Sequence, residues 1–368
     1  FAENPGIVIQ VKDKHKEEVK KILEDAGIGY VKLGKPTEER HILVEKGDAT
    51  YQFGIDYLRD VWYSTSYLLD RKQSMNGCAK KRFENYKKQP LEFVFDKSFT
   101  GKLSQFGLNP DRRTPTGIKA AIIREKGTNG EREMAYMLYL AGFDVKDVTM
   151  TDLVSGRETL EDINFIVFCG GFSNSDVLGS AKGWAGAFLF NPKAKAALDN
   201  FYARKDTLSL GVCNGCQLMI ELNLINPDFT KKAKMLHNDS HKFESKFVGV
   251  TVPMNRSVMF GSLSGSKLGI WVAHGEGKFS LPYHEDKYNV VLKYSYDEYP
   301  GNPNGSDYSV AGLASPDGRH LAMMPHLERS CFPWQNAYYP ADRIKNDQIT
   351  PWMEAFVNAR KWIEMNKK

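Results

Sequence analysis

The sequence lacks the features that mark several large classes of protein. Its 368 residues contain five cysteines, too few and too scattered for a disulfide framework. No apolar run approaches the roughly 18 residues of a membrane-spanning helix, and the first residues have no signal-peptide pattern. We therefore expect a cytoplasmic protein with no membrane partner. The Asn-x-Ser triplets at Asn238, Asn255 and Asn304 are interpreted as chance matches to glycosylation sites.

Strong charge and nucleotide-binding motifs are also missing. The 50 basic and 45 acidic residues leave a net charge of +5, less than a dedicated nucleic-acid binder usually concentrates. Neither a Walker A motif nor a G-x-G-x-x-G motif occurs, so nucleotide binding has no local support. Glycine (31) and proline (16) are close to average, which excludes a collagen-like or disordered chain. Two or three globular domains are expected at about 150 residues each, with no nucleic-acid partner.

The start of the chain predicts a small α+β segment. Short apolar runs at 6–11, 30–33 and 41–44 predict strands, and helical spacing predicts helices over 15–27 and 50–69. No cluster of catalytic residue types lies among them. The chain also starts at a phenylalanine inside this pattern, so we expect it to be part of a longer protein.

A basic and polar stretch follows, from Arg71 to Lys88, and continues as a Gly-, Pro- and Arg-containing segment to 115. Two interpretations remain open. The stretch is either a solvated linker face or a binding module that uses its lysines and arginines for phosphate or nucleic acid. The scarcity of aromatic residues for base stacking favours the linker.

After Thr116 the pattern changes to strands that alternate with helices. Predicted strands lie at 120–123, 143–148, 164–169 and 207–212, and predicted helices at 131–140, 193–202 and 214–224. This alternation predicts an α/β fold with a mostly parallel, doubly wound sheet. Ligands in such sheets bind beyond the carboxyl ends of the strands. Attention therefore falls on Gly170, Gly171 and Cys213, which follow two predicted strands.

Cys213 has the setting of a nucleophile. Gly211 and Gly215 flank it with the spacing of the G-x-S-x-G nucleophile elbow, between a predicted strand and a predicted helix. A thiol at a helix N-terminus is favoured as the reactive thiolate. Two other interpretations remain open on spacing alone: a redox pair with Cys216, in a C-x-x-C motif, or two inert core cysteines.

Two His-x-Glu pairs are candidates for an oriented base, His274 with Glu276 and His326 with Glu328. In an extended segment, residues two apart share a face, so the carboxylate can hold the imidazole. The residues alone do not separate the two pairs. The backbone N–H groups after the strand at 164–169 could join that of Asn214 in an oxyanion hole, or could simply form a tight turn.

Several motifs together resemble one enzyme family. Gly-Val-Cys-Asn-Gly-Cys-Gln at 211–217 is similar to the nucleophile motif of class I glutamine amidotransferases. Cys-Gly-Gly-Phe-Ser at 169–173, Ala-His-Gly-Glu-Gly at 273–277 and Met-Met-Pro-His at 323–326 narrow the resemblance. They resemble the large, single-chain phosphoribosylformylglycinamidine synthases of purine biosynthesis, and the resemblance covers 116–368.

The resemblance implies a catalytic triad and a reaction. It implies that Cys213 attacks the side-chain amide of glutamine to form a thioester, that His326 moves the protons, and that Glu328 orients His326. It further implies that Gly171 and the N–H of Asn214 form the oxyanion hole. The glutaminase reaction implied in this way needs no cofactor and no metal.

The resemblance also implies roles for residues around the nucleophile. Gln217 and Gly170 are expected to help bind the substrate glutamine. His274 and Glu276 become cleft-lining residues rather than members of the triad. Cys216 has no chemical role in this interpretation, which weighs against the redox pair.

The implied domain organisation has three parts. Residues 1–70 are expected to be the end of an ATP-dependent synthetase domain, 71–115 a basic linker and 116–368 the glutaminase domain. The full-length enzyme is then a carbon–nitrogen ligase that uses ATP and Mg²⁺, and its upstream synthetase domains are the partner of this chain. Two alternatives stay open: another cysteine hydrolase of the same fold, such as a γ-glutamyl peptidase, and a binding module that uses the basic segment.

Overall fold

A computed structural model of the chain describes residues 5–89 and 91–367. These residues divide into two compact units, and the division falls between Trp62 and Tyr63.

The first unit contains a helix and a β-hairpin. Helix α1 spans Lys16–Asp25, strands β1 (His41–Lys46) and β2 (Ala49–Gly54) pair antiparallel, and helix α2 (Ile55–Gln73) begins at the end of the hairpin. The predicted helix at 50–69 starts later than expected, because residues 49–54 pair with β1 instead. The predictions of strands at 6–11 and 30–33 are wrong: neither segment has a neighbouring strand among the described residues, and an extended segment without a partner leaves its backbone groups unpaired.

The second unit contains the rest of the regular structure. Among its described residues the helices are α3 (Cys78–Asn85), α4 (Glu131–Ala141), α5 (Met150–Ser155), α6 (Lys182–Phe190), α7 (Pro192–Ala203), α8 (Asn214–Glu221) and α9 (Trp352–Asn366). The strands are β3 (Lys119–Arg124), β4 (Asp144–Thr149), β5 (Phe165–Phe168), β6 (Leu208–Val212), β7 (Lys234–Leu236), β8 (Glu244–Thr251), β9 (Lys267–His274), β10 (Lys278–Ser280), β11 (Asn289–Tyr294), β12 (Val310–Ala314) and β13 (His320–Met323).

One large sheet organises the second unit. Within the described residues its nine strands follow the order β4-β3-β5-β6-β13-β12-β11-β8-β9, while β7 and β10 form a separate antiparallel ribbon. The strands from β4 to β13 in this order are parallel, and β12, β11, β8 and β9 extend the sheet antiparallel. The predicted α/β fold class is confirmed, and each element predicted after Thr116 overlaps an observed one. The antiparallel extension is an addition to that prediction.

The strand order explains where a site can form. The chain moves outward from β3 to β4 and then returns past β3 to β5 and β6, so right-handed crossovers place the intervening helices on opposite faces. Helix α4 packs on α9, whereas α5, α6 and α7 pack together and α6 contacts α8. All residues of β5 and β6 are buried, as continuous apolar runs in central parallel strands predict. The segments after β5, β6 and β13 therefore meet at one edge of the sheet.

Part of the predicted basic linker is buried rather than solvated. At the end of α2 and in α3, the side chains of Asp70, Cys78, Ala79 and Asn85 are buried. The guanidinium of Arg82 forms ion pairs with the carboxylates of Asp70 and Glu244. This arginine is therefore engaged within the second unit, which weakens the interpretation of the stretch as a nucleic-acid binding module.

Candidate active site

Cys213 lies at a sharp turn between β6 and α8. Its backbone has φ 52° and ψ −105°, a conformation that a non-glycine residue adopts only when the surrounding structure holds it there. A Cβ atom on Gly211 would lie 2.5 Å from the carbonyl oxygen of Gly215, and one on Gly215 would lie 2.0 Å from that of Phe168. Both positions therefore require glycine. The thiol lies at the N-terminus of α8, where the helix dipole favours negative charge.

His326 and Glu328 follow β13, at the same edge of the sheet as Cys213. The imidazole Nδ1 donates to the Glu328 carboxylate over 2.6 Å, and both side chains are almost fully buried. The backbone N–H of His326 donates to the carbonyl of Trp271, which ties the turn to β9. The thiol of Cys213 lies beside this imidazole and contributes to raising its pKa, while Sγ itself donates to the carbonyl of Ala273. Sulfur, imidazole and carboxylate thus form a continuous row.

The charge state of His326 is set by opposing effects. Burial by itself would lower its pKa, but the carboxylate of Glu328 and the contact with Cys213 outweigh burial and raise it to about 10. At neutral pH the imidazole is therefore protonated. A cation in contact with the sulfur stabilises negative charge on it, as in other Cys–His nucleophiles.

The two glycines after β5 face this row. A Cβ atom on Gly170 would lie 2.8 Å from Cε1 of His326 and 3.4 Å from Cβ of Cys213, so a side chain there would intrude between them. Gly171 has φ 129°, and a Cβ atom there would lie 2.5 Å from the carbonyl oxygen of Gly127. Two backbone bonds, from Asn129 to Gly170 and from Phe172 to Gly127, hold this segment in place.

Two backbone N–H groups beside the nucleophile remain available. Within residues 5–89 and 91–367, the N–H groups of Gly171 and Asn214 donate to no protein acceptor. The N–H of Asn214 is unpaired because the first turn of a helix has no acceptor one turn earlier. Two such donors next to a nucleophile suit an oxyanion.

Gln217 connects α8 to the segment that follows β9. Its side-chain oxygen accepts from Nδ2 of Asn214 over 2.9 Å, and its Nε2 donates to the carbonyl oxygen of Glu276 over 2.8 Å. The side chain is buried. Gln217 is therefore held on both sides by the protein, with one N–H and one lone pair left for a ligand.

His274 and Glu276 lie near the nucleophile but do not form a dyad. The carbonyl of Ala273 accepts from Sγ of Cys213 over 3.4 Å, which brings this segment to the sulfur. His274 contacts Oδ1 of Asn238 through Nδ1, and a Glu276 oxygen accepts from the backbone of Ser180. Burial and the charge of His326 lower the pKa of His274 to about 3, so this imidazole stays neutral. Of the two His-x-Glu pairs, the structure joins only His326 and Glu328 by a hydrogen bond.

Cys216 is separate from this chemistry. Its thiol is unpaired and fully buried, and burial raises its pKa well above the ordinary value. Thiol exchange requires an accessible thiolate. The geometry therefore weighs against the redox interpretation of the C-x-x-C spacing.

Sequence reasoning missed two polar residues at this site. Ser173 donates its backbone N–H to Oδ1 of Asn214, and its buried hydroxyl has no partner within the described residues. Asn238 is fully buried beside His274 and was interpreted only as part of a chance Asn-x-Ser triplet. The segment at 169–173 offered a signal for Ser173. No local signal identifies Asn238, because its contacts are distant in sequence.

Two kinds of feature are absent from residues 5–89 and 91–367. No group of three or more His, Cys, Asp or Glu side chains among these residues could hold a metal ion. No helix there is long and apolar enough to cross a membrane.

Comparison with known proteins identifies the family. The sequence profile of the CobB/CobQ-like glutamine amidotransferase domain matches residues 117–363. The chain belongs to this family. A chain of the solved PurLQS structure from Thermotoga maritima is 27% identical to the amidotransferase, with a TM-score of 0.51 over 68% of this chain and 99% of that one.

Curated relatives of the amidotransferase are much longer than it is. It is 37% identical over 391 residues to the probable chloroplastic/mitochondrial phosphoribosylformylglycinamidine synthase of Arabidopsis thaliana, covering 99% of this chain and 27% of that protein. It is 38% identical over 397 residues to the human phosphoribosylformylglycinamidine synthase, covering 98% of this chain and 29% of that protein. The amidotransferase thus spans less than a third of the length of these relatives.

Proposed function

We propose that the chain is the glutaminase part of a phosphoribosylformylglycinamidine synthase, with 116–368 as its glutaminase domain. It would hydrolyse glutamine through a thioester on Cys213 and supply the ammonia to amidine synthesis. The observation that carries the proposal is the row of Cys213, His326 and Glu328, with the free N–H groups of Gly171 and Asn214 beside the sulfur.

The first half of the proposed reaction releases ammonia. The thiolate of Cys213 forms a bond to the carboxamide carbon of glutamine, and the amide oxygen takes the negative charge. The N–H groups of Gly171 and Asn214 donate to that oxygen, a contact worth roughly 3–4 kcal/mol per donor in related sites. The imidazolium of His326 gives its proton to the amide nitrogen, the carbon–nitrogen bond breaks and ammonia leaves a thioester behind.

The second half regenerates the nucleophile. Neutral His326 takes a proton from water, and the water oxygen attacks the thioester carbon. The sulfur leaves as thiolate, and the new carboxylic acid gives its proton to solvent as glutamate is released. His326 is then protonated again, with Glu328 holding it in the same orientation throughout.

Charges near Gln217 suit the amino acid part of glutamine. Burial and the neighbouring carboxylate of Glu276 raise the pKa of Asp176, which is the effect of two acids close together. A negative region of this kind complements an α-ammonium group. We therefore propose that Glu276 and Gln217 bind the end of glutamine that carries its α-ammonium group, and that Gly170 leaves room for the glutamine side chain.

The synthetase half of the proposed activity lies outside this chain. ATP and Mg²⁺ would be used by upstream synthetase domains, because the relatives are so much longer than the chain. Among the described residues no group of three or more His, Cys, Asp or Glu side chains could hold a metal ion. No step of the proposed glutaminase reaction uses either group.

The five unpaired cysteines support a reducing compartment, which we propose to be the cytoplasm. The name of the Arabidopsis relative places that protein in chloroplasts or mitochondria instead.

Affinity labelling tests the proposed function. A glutamine-like electrophile should label the unsubstituted chain at Cys213, glutamine should protect it, and Cys213→Ala should abolish both labelling and glutamine hydrolysis. The chain alone should show weak, uncoupled glutaminase activity and no ATP-dependent amidine synthesis. Labelling that survives Cys213→Ala, or efficient amidine synthesis by this chain, would contradict the proposal.

A further inference from the structure

Residues 237–244, which are the loop after β7 and the first residue of β8 and are called the 237–244 loop below, hold one wall of the candidate site. Inside it, Asn238 is completely buried and uses its whole side-chain amide. Its Nδ2 donates to the carbonyls of His274, over 2.7 Å, and Lys242, over 2.9 Å. Its Oδ1 accepts from the backbone N–H of Gly277, over 3.0 Å, and lies 3.2 Å from Nδ1 of His274.

The same asparagine orders the segment 274–277 along its length. Its backbone N–H donates to the carbonyl of Gly275, so residues 274, 275 and 277 are each bound to Asn238. Because the N–H of Gly277 occupies the same oxygen, the Asn238 amide is oriented, and Nδ1 of His274 must be the donor. The imidazole is thereby fixed as one neutral tautomer.

The segment 274–277 in turn contacts the reactive groups. The carbonyl of Ala273, just before it, accepts from the sulfur of Cys213. The carbonyl of Glu276 accepts from Gln217, and the Glu276 carboxylate accepts from the backbone of Ser180. A shift of residues 274–277 would displace Glu276 together with its bonds to Gln217 and Ser180, whereas Ala273 is held within β9 by its pairing with β8.

The opposite side of the loop is bound to the helical segment 70–85. Asn76 donates to the carbonyl of Asp239, and the N–H of Met75 donates to the carbonyl of Ser240. The ammonium of Lys242 lies 2.9 Å from an oxygen of Asp70.

Arg82 completes this anchor by joining two buried acids. It pairs with Asp70 and also lies 3.4 Å from Glu244, the last residue of the loop, and both carboxylates are buried. Glu244 also accepts from the hydroxyls of Ser240 and Tyr299. Without the arginine, Asp70 would keep Lys242 and Glu244 would keep Lys246 as cationic partners, but the one cation that joins the two buried carboxylates would be lost, which favours rearrangement of the loop.

We propose that the 237–244 loop positions the glutamine-binding wall, with Asn238 as the positioning residue and Arg82 as its anchor in the helical segment. This proposal rests on the proposed glutaminase function. It makes glutamine binding depend on helices that precede the amidotransferase domain in sequence and contact no substrate. The row of Cys213, His326 and Glu328 keeps its own contacts and is not expected to depend on the loop.

The test compares glutamine hydrolysis with plain thiol alkylation. We expect Asn238→Ala to raise KM for glutamine by roughly 10- to 100-fold, as expected for small misplacements in a binding site. Arg82→Met should raise KM about threefold or more, within the range of remote positioning residues. Arg82→Lys should recover part of this loss. Alkylation of Cys213 by iodoacetamide, which needs no glutamine recognition, should stay within about twofold of the unsubstituted chain in each variant.

A control on the same helix separates the effect from loss of charge. Lys81→Met removes one positive charge from an exposed position of α3 and should leave KM and kcat unchanged. If Asn238→Ala does not fold, the comparison of Arg82→Met with Lys81→Met decides. Equal KM values in those two variants, or alkylation that falls in parallel with hydrolysis, would overturn the proposal. Failure of the unsubstituted chain to react with a glutamine-like electrophile would instead overturn the proposed function, and this proposal with it.

Discussion

Replacing Glu328 by glutamine isolates the charge behind the proposed base. Glutamine has the same shape and can still accept from Nδ1 of His326, so Glu328→Gln removes the negative charge while it keeps the bond and the tautomer. In the native site the carboxylate lies 2.6 Å from Nδ1, with 2% of its side chain exposed. Solvent therefore cannot replace the lost charge.

The structure sets the size of the effect. The rise in the pKa of His326 from 6.5 to about 10 corresponds to about 5 kcal/mol, which Glu328 and Cys213 supply against burial. Glu328→Gln keeps the hydrogen bond but makes its acceptor neutral, and hydrogen bonds to charged groups contribute about 1.5–3 kcal/mol against about 0.5–1.5 kcal/mol for neutral ones. The variant therefore loses about 1–1.5 kcal/mol, and we expect kcat for glutamine hydrolysis to fall roughly 5- to 13-fold.

The pH dependence of Cys213 alkylation should shift to lower pH in Glu328→Gln. Because the pKa of folded His326 is raised from 6.5 to about 10, the stability that its charge contributes is fully present below about 6.5, and the imidazolium itself is lost only as the pH rises through about 10. In Glu328→Gln the carboxylate charge no longer offsets the effect of burial, so the pKa of His326 falls and its imidazolium is lost at lower pH. Alkylation of Cys213 by iodoacetamide, followed from pH 6 to 10, should show this shift.

A matched variant controls for the neighbouring arginine. Glu133 lies 3.8 Å from Arg329, which also lies 3.6 Å from Glu328, but Glu133 does not contact His326. Glu133→Gln should leave both the rate and the pH profile unchanged. The reasoning would be refuted if Glu328→Gln retained kcat within about twofold and an unshifted alkylation profile.

Two further predictions concern the glycine turn and the second cysteine. Gly171→Ala places a Cβ atom 2.5 Å from the carbonyl oxygen of Gly127, so the backbone N–H of residue 171 must move. We expect kcat for glutamine hydrolysis to fall roughly 100-fold, while iodoacetamide still labels Cys213. Unchanged hydrolysis would exclude this N–H from the reaction. Cys216→Ser puts a hydroxyl in place of a fully buried thiol, so the melting temperature of the protein should fall. The rate of glutamine hydrolysis should stay within about threefold of that of the unsubstituted chain and should not respond to reducing agents. Activity that requires the thiol and responds to reductant would restore the redox interpretation.

The buried contacts of segment 70–85 change how the region before the amidotransferase domain is understood. Its lysines and arginines predict a solvated linker, and exposed ones such as Lys80 agree with that. Arg82 instead pairs with two buried carboxylates, and Asn85 donates to the carbonyl of Tyr299. Composition could not separate these cases, because a surface charge and a buried paired charge are the same residue type.

The local sequence pattern was sufficient to predict the strand and the turn that carry Cys213. The apolar runs of β5 and β6, and the glycines around Cys213, determine the local structure through contacts within a few residues. Steric exclusion at a tight turn needs no distant partner. Fold class, the turn that carries Cys213 and the carboxyl edge of the sheet were therefore predictable. The predictions of strands at 6–11 and 30–33 were wrong because a strand needs a neighbouring strand, and the local sequence pattern does not show whether one is present.

Only the tertiary structure distinguished between the two His-x-Glu pairs, which look the same in the local sequence. His274 with Glu276 and His326 with Glu328 have the same spacing, but β13 runs parallel beside β6 and brings the second pair to the sulfur. His274 instead meets Asn238, 36 residues earlier in the chain. The amino-acid sequence by itself determined the local turns and the apolar strands, because their causes lie within a few residues. Long-range strand pairing decided which polar groups meet, because charge, burial and hydrogen bonding depend on neighbours that the fold brings from far along the chain.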